Sequence, residues 1–148
     1  MSFLKSLDAA ASGLSAQRLR MDVISQNIAN INTTRTENGQ PYRRKIVLFE
    51  DRNQNKPFYK YLSENAKSKL GDAKGVRVSR IVEDPSPFKR VYEPGHPDAD
   101  ENGYVNMPNV DLVTEMINMI SASRAYETNV TSINTIKSMA LKALEIGK

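Results

Sequence analysis

Residues 3–31 read FLKSLDAAASGLSAQRLRMDVISQNIANI, and this stretch decides the fold. Its apolar side chains recur at alternating spacings of three and four residues, which is typical of a long α-helix that packs along a partner helix. At 1.5 Å per residue this helix would be about 43 Å long. Its apolar face consists of Phe3, Leu7, Ala10, Leu14, Met21, Ile24, Ile28 and Ile31, interrupted only by Gln17.

The same spacing returns in residues 109–148 and predicts a second long helix. Asn109 or Asp111 could cap its start. A second apolar strip, formed by Val113, Ile117 and Ile120, lies beside the first, and one partner helix cannot cover both. We therefore predict an antiparallel coiled coil of the two helices, with apolar surface left over for further neighbours. The main face consists of Leu112, Met116, Met119, Tyr126, Val130, Ile133, Ala140 and Leu144, interrupted by Ser123 and Lys137.

The middle of the chain has a different pattern. Residues 42–49, 75–82, 88–92 and 104–107 read as short strands separated by Gly, Pro and Asn turns. Residues 51–74 are polar and rich in Lys and Asn, and are predicted to form a mobile basic loop. The sequence thus predicts an α+β chain with an N-terminal helix (1–32), a β-rich insert (33–108) and a C-terminal helix (109–148).

The composition argues against several classes of function. The 148 residues include no cysteine and a single histidine, His96, so no zinc site or Ser–His–Asp arrangement can be proposed. The 17 carboxylates show no spacing that singles out an acid–base pair. No apolar run is long enough to span a bilayer, and no secretory signal can be recognised. We predict no catalytic residue, no cofactor, no metal and no membrane insertion.

The loop HPDADENGY, residues 96–104, fits a calcium-binding loop only in part. Asp98, Asp100 and Asn102 fit the first positions of an EF-hand loop. Its last position would be Asn109 in place of the bidentate glutamate, so a polar turn is the prediction.

Charge is distributed unevenly along the chain. Residues 33–90 contain fourteen basic and seven acidic side chains, a net +7, whereas residues 91–148 contain four and eight, a net −4. This asymmetry suits subunits that meet one another at least as well as it suits nucleic acid. The basic run PYRRK (41–45), with aromatic residues nearby, leaves one alternative: a basic helical-dimer module that binds nucleic acid.

Two long segments resemble the bacterial flagellar axial proteins, and most closely the C-type basal-body rod proteins of the proximal rod. The first is SGLSAQRLRMDVISQNIANINTTRT, residues 12–36, which continues into GQPYRRK at 39–45. The second, residues 84–129, contains PGHPDADENGYVNMPNVD. Residues 51–74 carry none of the resemblance.

The resemblance implies a structural subunit of the flagellar basal body, in the rod that spans the periplasm, without catalysis. Such proteins leave the cell through the flagellar type III export apparatus and assemble helically through their terminal helices. Implied partners are further copies of the chain, the other proximal rod proteins, the rod–base adaptor and the distal rod subunit. The rod transmits motor torque.

Two sets of residues are predicted to serve assembly. The helical-seam set is Leu7, Leu14, Met21, Ile24, Ile28, Ile31, Leu112, Met116, Met119, Tyr126, Val130, Ile133 and Leu144. The polar intersubunit set is Gln17, Asn27, Asn30, Asn32, Arg35, Arg43 and Arg44. The Asn- and Thr-rich segment 30–36 is further expected to form an ordered turn only within the assembled rod.

Overall fold

The computed structural model describes residues 3–52 and 75–146. Two long helices flank four short strands, so the α+β prediction is confirmed. Most of the predicted basic loop (51–74) lies outside the described residues, since the structure describes nothing from residue 53 to residue 74. The elements in chain order are α1 (Phe3–Ala29), β1 (Lys45–Asp51), β2 (Val76–Glu83), β3 (Lys89–Tyr92), β4 (Tyr104–Met107) and α2 (Leu112–Ile146).

The two helices pack against each other in antiparallel orientation. Asn27, near the end of α1, hydrogen-bonds to Glu115 in the first turn of α2. Gly13, midway along α1, lies against Asn129, and a Cβ atom at Gly13 would stand 3.0 Å from Asn129 Nδ2. The glycine therefore allows the close approach of the helices, which outweighs its low helix propensity.

The faces buried between the helices differ from the predicted ones. The most buried side chains of the helices are Ala16, Val23, Ile24, Asn27, Glu115 and Ala122. Of these, only Ile24 belongs to the predicted apolar faces. Leu112, Met116 and Leu144 are 44%, 52% and 72% exposed. The structure thus does not confirm a coiled coil built on the predicted faces. Four of the six are small, as Ala16 and Ala122 are, or hydrogen-bonded, as Asn27 and Glu115 are, and a count of large apolar residues does not detect them.

The strands form two separate antiparallel hairpins. In the first, Lys45 of β1 lies opposite Glu83 of β2, with a bulge at Leu48/Phe49. In the second, β3 pairs with β4 so that Tyr92 lies opposite Tyr104. The β1–β2 hairpin packs on α1. All four strands lie within a few residues of their predicted positions.

The start of β2 is fastened to α1 by Ser12. The hydroxyl of Ser12 accepts a hydrogen bond from the Val76 amide at 3.1 Å. Gly75 adopts a φ of 85°, and a Cβ atom there would collide with Ser12 Oγ. Only glycine fits this position, because both the left-handed backbone conformation and the closeness of Ser12 Oγ exclude a side chain.

The two helix ends that adjoin the insert, the end of α1 and the start of α2, are capped within the chain. After α1, the Thr33 amide donates to the Asn30 carbonyl and the Tyr42 amide to the Thr33 carbonyl. The turn after α1 is therefore already hydrogen-bonded in a single chain, which differs from the expectation that it needs neighbours. At the start of α2, Asp111 is the N-cap and accepts from the Thr114 amide at 2.9 Å. Hydrogen bonds from Thr114 lower the pKa of Asp111.

Candidate functional site at the junction of helices and insert

Asn27 lies where α1, β1 and α2 meet, and it is 1% exposed. Its Oδ1 accepts from the Tyr42 hydroxyl at 3.0 Å and from the Lys45 amide at 2.9 Å. Its Nδ2 donates to the Lys45 carbonyl and to Glu115 Oε2, both at 2.9 Å. The side-chain amide thus makes four hydrogen bonds, its full capacity.

Glu115 is equally buried and forms a salt bridge with Arg44. Arg44 Nε and Nη2 both donate to Glu115 Oε1, at 2.9 and 2.7 Å. Arg44 Nη1 reaches Asp84 Oδ2 at 3.2 Å. Because the Glu115 carboxylate also accepts from Asn27, the buried charge is both paired and hydrogen-bonded, as a stable interior site requires.

Asn109 closes the junction from the side of α2. Its Oδ1 accepts from the Arg44 amide at 2.8 Å, and its Nδ2 donates to the Asp84 carbonyl at 3.1 Å. Arg43 donates to the same carbonyl and covers the Phe88 ring at 4.4 Å from the centroid. We call Asn27, Tyr42, Arg44, Asp84, Asn109 and Glu115 the polar junction.

The electrostatics of the junction follow from these contacts. Burial alone would lower the pKa of Arg44, but its hydrogen bonds to Glu115 and Asp84 raise it, so the guanidinium is charged at any ordinary pH. Burial, together with the negative charge of Glu115, raises the pKa of Tyr42. Hydrogen bonds from Ser86 lower the pKa of Asp84. Arg44 and Asp84 therefore stay ionised at neutral pH.

The predicted polar intersubunit residues have different surroundings. Asn27, Arg43 and Arg44 bond within the chain, and Asn30 donates to the Gln26 carbonyl of its own turn. Asn32 and Arg35 are exposed. Within the described ranges, Gln17 Oε1 is buried without a hydrogen-bond partner.

Four members of the polar junction were missed in the sequence. Glu115 stands directly before Met116 of the predicted face, and only its seven-residue spacing from the small Ala122 could have indicated burial. The sequence around Asn109 indicates only a helix cap. Tyr42 and Asp84 carry no spacing signal, because their partners lie in distant parts of the chain.

An apolar strip lies exposed at the start of α2. Val113 and Ile117 are 64% and 63% exposed, so the predicted second strip is free of the α1 contact. Leu112 and Met116 of the main face are also exposed and lie beside it. We call the five exposed residues together the α2 strip: Leu112, Val113, Met116, Ile117 and Ile120. The other predicted seam residues, Leu7, Leu14, Met21, Ile28, Ile31, Met119, Tyr126, Val130 and Ile133, are half-buried.

In the acidic loop after β3, two carboxylates accept hydrogen bonds from groups of the same chain. Asp98 accepts from the Thr34 hydroxyl at 2.8 Å, and Asp100 Oδ1 accepts from the amides of Asn102 and Tyr104, each at 2.9 Å. In residues 3–52 and 75–146, no group of three His, Cys, Asp or Glu side chains could hold a metal ion. Neither described helix is long and apolar enough to cross a membrane.

Comparison with known proteins decides the family. A family model described as flagella basal body rod protein matches residues 7–35, and the C-terminal model of the flagellar basal body rod FlgEFG proteins matches residues 101–146. The flagellar basal-body rod protein FlgC of Borreliella burgdorferi is 50% identical, over 99% of this chain and 98% of its own length. The FlgC proteins of Bacillus subtilis and Salmonella typhimurium are 47% and 44% identical, over the full length of both chains.

The chain belongs to the FlgC family of flagellar basal-body rod proteins. Its place is the rod of the flagellar basal body, as the resemblance implied. The relatives are named as rod proteins and not as enzymes, which supports a structural role without catalysis.

The polar junction spans both matched segments of this rod protein. Asn27 falls within the first match, and Asn109 and Glu115 within the second. Tyr42, Arg44 and Asp84 lie between the two matches. The junction therefore joins the two matched segments to the part of the insert that lies between them.

Proposed function

We propose that this rod protein is a subunit of the proximal rod that assembles helically through the outer faces of its two terminal helices. The observation that carries this proposal is the α2 strip, in which five large apolar side chains lie exposed on one face. Contiguous exposed apolar surface on a soluble chain usually marks a contact with another protein. Burial stabilises a contact by about 25 cal/mol per Å² of apolar surface, so the strip favours association.

Further apolar side chains lie at the opposite end of the helix pair. Met139, Leu141 and Leu144 of α2 are each more than half exposed, and so is Leu4 of α1. A chain with apolar surface at both ends can contact one neighbour at each, which generates an open helical assembly. We propose that the exposed members of the helical-seam set, Leu112, Met116 and Leu144, form coiled-coil-like contacts with neighbours. We propose that exposed Asn32 and Arg35 contact neighbours as well.

The finer partners follow from the resemblance. We propose the other proximal rod proteins, the rod–base adaptor and the distal rod subunit as neighbours, and the flagellar type III apparatus as the export route. In the assembled rod, long helices packed side by side would resist twisting and so transmit motor torque. Support for this role comes from α1 and α2, which are 27 and 35 residues long.

The α2 strip can be tested without disturbing the fold. Ile117→Asp places a charge on a 63% exposed position, so the isolated chain should keep its helix content. Incorporation into basal bodies should be lost, because the charge would have to be buried at the contact. The measurement is swimming of a deletion strain of the source bacterium, together with the chain's abundance in purified basal bodies.

The matched control is Asn134→Asp, at an exposed polar position on the same helix. It should incorporate and restore swimming like the original chain. Normal incorporation of Ile117→Asp would contradict the proposal.

The nucleic-acid alternative has less support, because Arg43 and Arg44 donate to carbonyl and carboxylate groups of their own chain. A salt-dependent mobility shift with DNA or RNA would restore it.

A further inference from the structure

We propose that Asn27 and Glu115 are positioning residues that fix the orientation of the β1–β2 hairpin relative to the helix pair. The consequence for assembly rests on the proposed function, since the hairpin must point the same way in every subunit of a regular rod. The orientation itself is a property of the single chain.

The first argument is the way Asn27 holds β1. Its side-chain amide bonds to both the amide and the carbonyl of Lys45, the first residue of the strand. This two-bond pattern is the one a neighbouring strand would supply, and it fixes backbone position independently of any side-chain packing. The strand is thereby held to α1 at a defined point.

The second argument is that Glu115 links this point to α2. One carboxylate oxygen accepts from Asn27 and the other from Arg44, the residue directly before β1. Both helices and the start of the hairpin thus share one buried carboxylate. A rotation of the hairpin about its first residue would break at least one of these bonds.

The third argument concerns what else holds the hairpin within the described ranges. At its far end, Ser12 bonds the Val76 amide, and Arg52 pairs with Asp8 at 3.2 Å. Both partners of that ion pair are at least half exposed, so the pair contributes little. Without the junction the hairpin would keep the Ser12 hydrogen bond and its side-chain packing on α1, but no hydrogen bond would fix the start of β1, so the hairpin could pivot about its far end.

The orientation can be measured with pairs of spin labels, since the chain contains no cysteine to be removed first. One pair, Arg80→Cys and Asn134→Cys, joins exposed positions on β2 and α2. The other pair, Asp22→Cys and Asn134→Cys, joins exposed positions on the two helices. The distance distribution of each pair is measured by double electron–electron resonance.

In the original chain both distributions should be single and narrow. In Asn27→Ala the hairpin–helix distribution should broaden or split, whereas the helix–helix distribution stays narrow. The matched control is Asn30→Ala, from the same Asn-rich segment, whose side-chain amide donates to the Gln26 carbonyl and accepts from the Thr33 hydroxyl, both at the end of α1 and away from the hairpin. A hairpin–helix distribution as narrow in Asn27→Ala as in Asn30→Ala would overturn the proposal.

If Asn27→Ala broadens both distributions, a double variant with donor and acceptor reversed distinguishes a positioning role from a general effect on stability. Asn27→Asp combined with Glu115→Gln exchanges donor and acceptor between the two positions and keeps the local charge. Position 27 would still accept from Tyr42 and from the Lys45 amide but could no longer donate to the Lys45 carbonyl, so the helix–helix distribution should narrow again while the hairpin–helix distribution stays broader than in the original chain. If both distributions narrow or both stay broad, the contact serves stability alone and the proposal is overturned.

Swimming separates the two levels of the argument. A strain whose Asn27→Ala chain has a broad hairpin–helix distribution should fail to swim. If it swims normally, the orientation of the hairpin does not matter to assembly and that consequence of the inference is wrong, while the proposed function stands. If Ile117→Asp incorporates normally, the proposed function fails, and the distances still report on the hairpin.

Discussion

At the scale of single residues, the fold depends on buried polar atoms whose hydrogen-bonding capacity is fully used. Asn27 makes four hydrogen bonds at 1% exposure, so each partner it holds would lose its bond in the interior if the amide were removed. A buried group left without a partner costs about 1–3 kcal/mol. Small changes around Asn27 should therefore be measurable as changes in the free energy of unfolding.

Tyr42→Phe removes one of these bonds and keeps the ring. The hydroxyl that donates to Asn27 Oδ1 at 3.0 Å is lost, while that oxygen still accepts from Lys45. We expect a loss of about 1 kcal/mol in the free energy of unfolding, measured by urea titration. Tyr104→Phe is the control, at a 44% exposed ring, and should change it by less than about 0.5 kcal/mol. Equal effects of the two substitutions would show that the hydroxyl of Tyr42 contributes nothing.

At the scale of elements, the helix contact is set by small residues as much as by large ones. Gly13→Val should destabilise the helix pair by about 1–3 kcal/mol, although valine has the better helix propensity, because Asn129 occupies the space. Ala11→Val, at an exposed position of the same helix, is the control. Thermal unfolding followed by circular dichroism measures both. Adding Asn129→Ala should restore part of the loss, and a failure to do so would place the strain elsewhere.

The same contact shows how far the sequence could predict the elements. Periodicity was enough to locate both helices, and alternation with turn residues located the four strands. The buried face was missed because Ala16 and Ala122 carry little hydrophobic signal, although they are 4% and 0% exposed. The Asn27–Glu115 bond joins positions 88 residues apart, and no local spacing encodes such a pair.

At the scale of the whole molecule, the two ends of the helix pair differ in how well they are held. At one end the polar junction ties both helices to the insert. Since Gly13 lies opposite Asn129, the first described residue of α1 lies opposite about residue 139 of α2, and the last two turns of α2 extend beyond it. Leu144 in those turns is 72% exposed. Local stability should therefore fall from the junction toward the far end.

Hydrogen exchange on the purified chain at low concentration measures this gradient. Amides in the first turns of α2 and the last turns of α1 should be protected, whereas those from about residue 136 to residue 146 should exchange rapidly, because few packed neighbours hold them. Assembly should then protect the far end selectively, since a neighbour in the rod would cover Leu141 and Leu144. Uniform protection along α2 in the dilute chain would show a self-sufficient helix pair, and the exposed far end would then have no need of a neighbour.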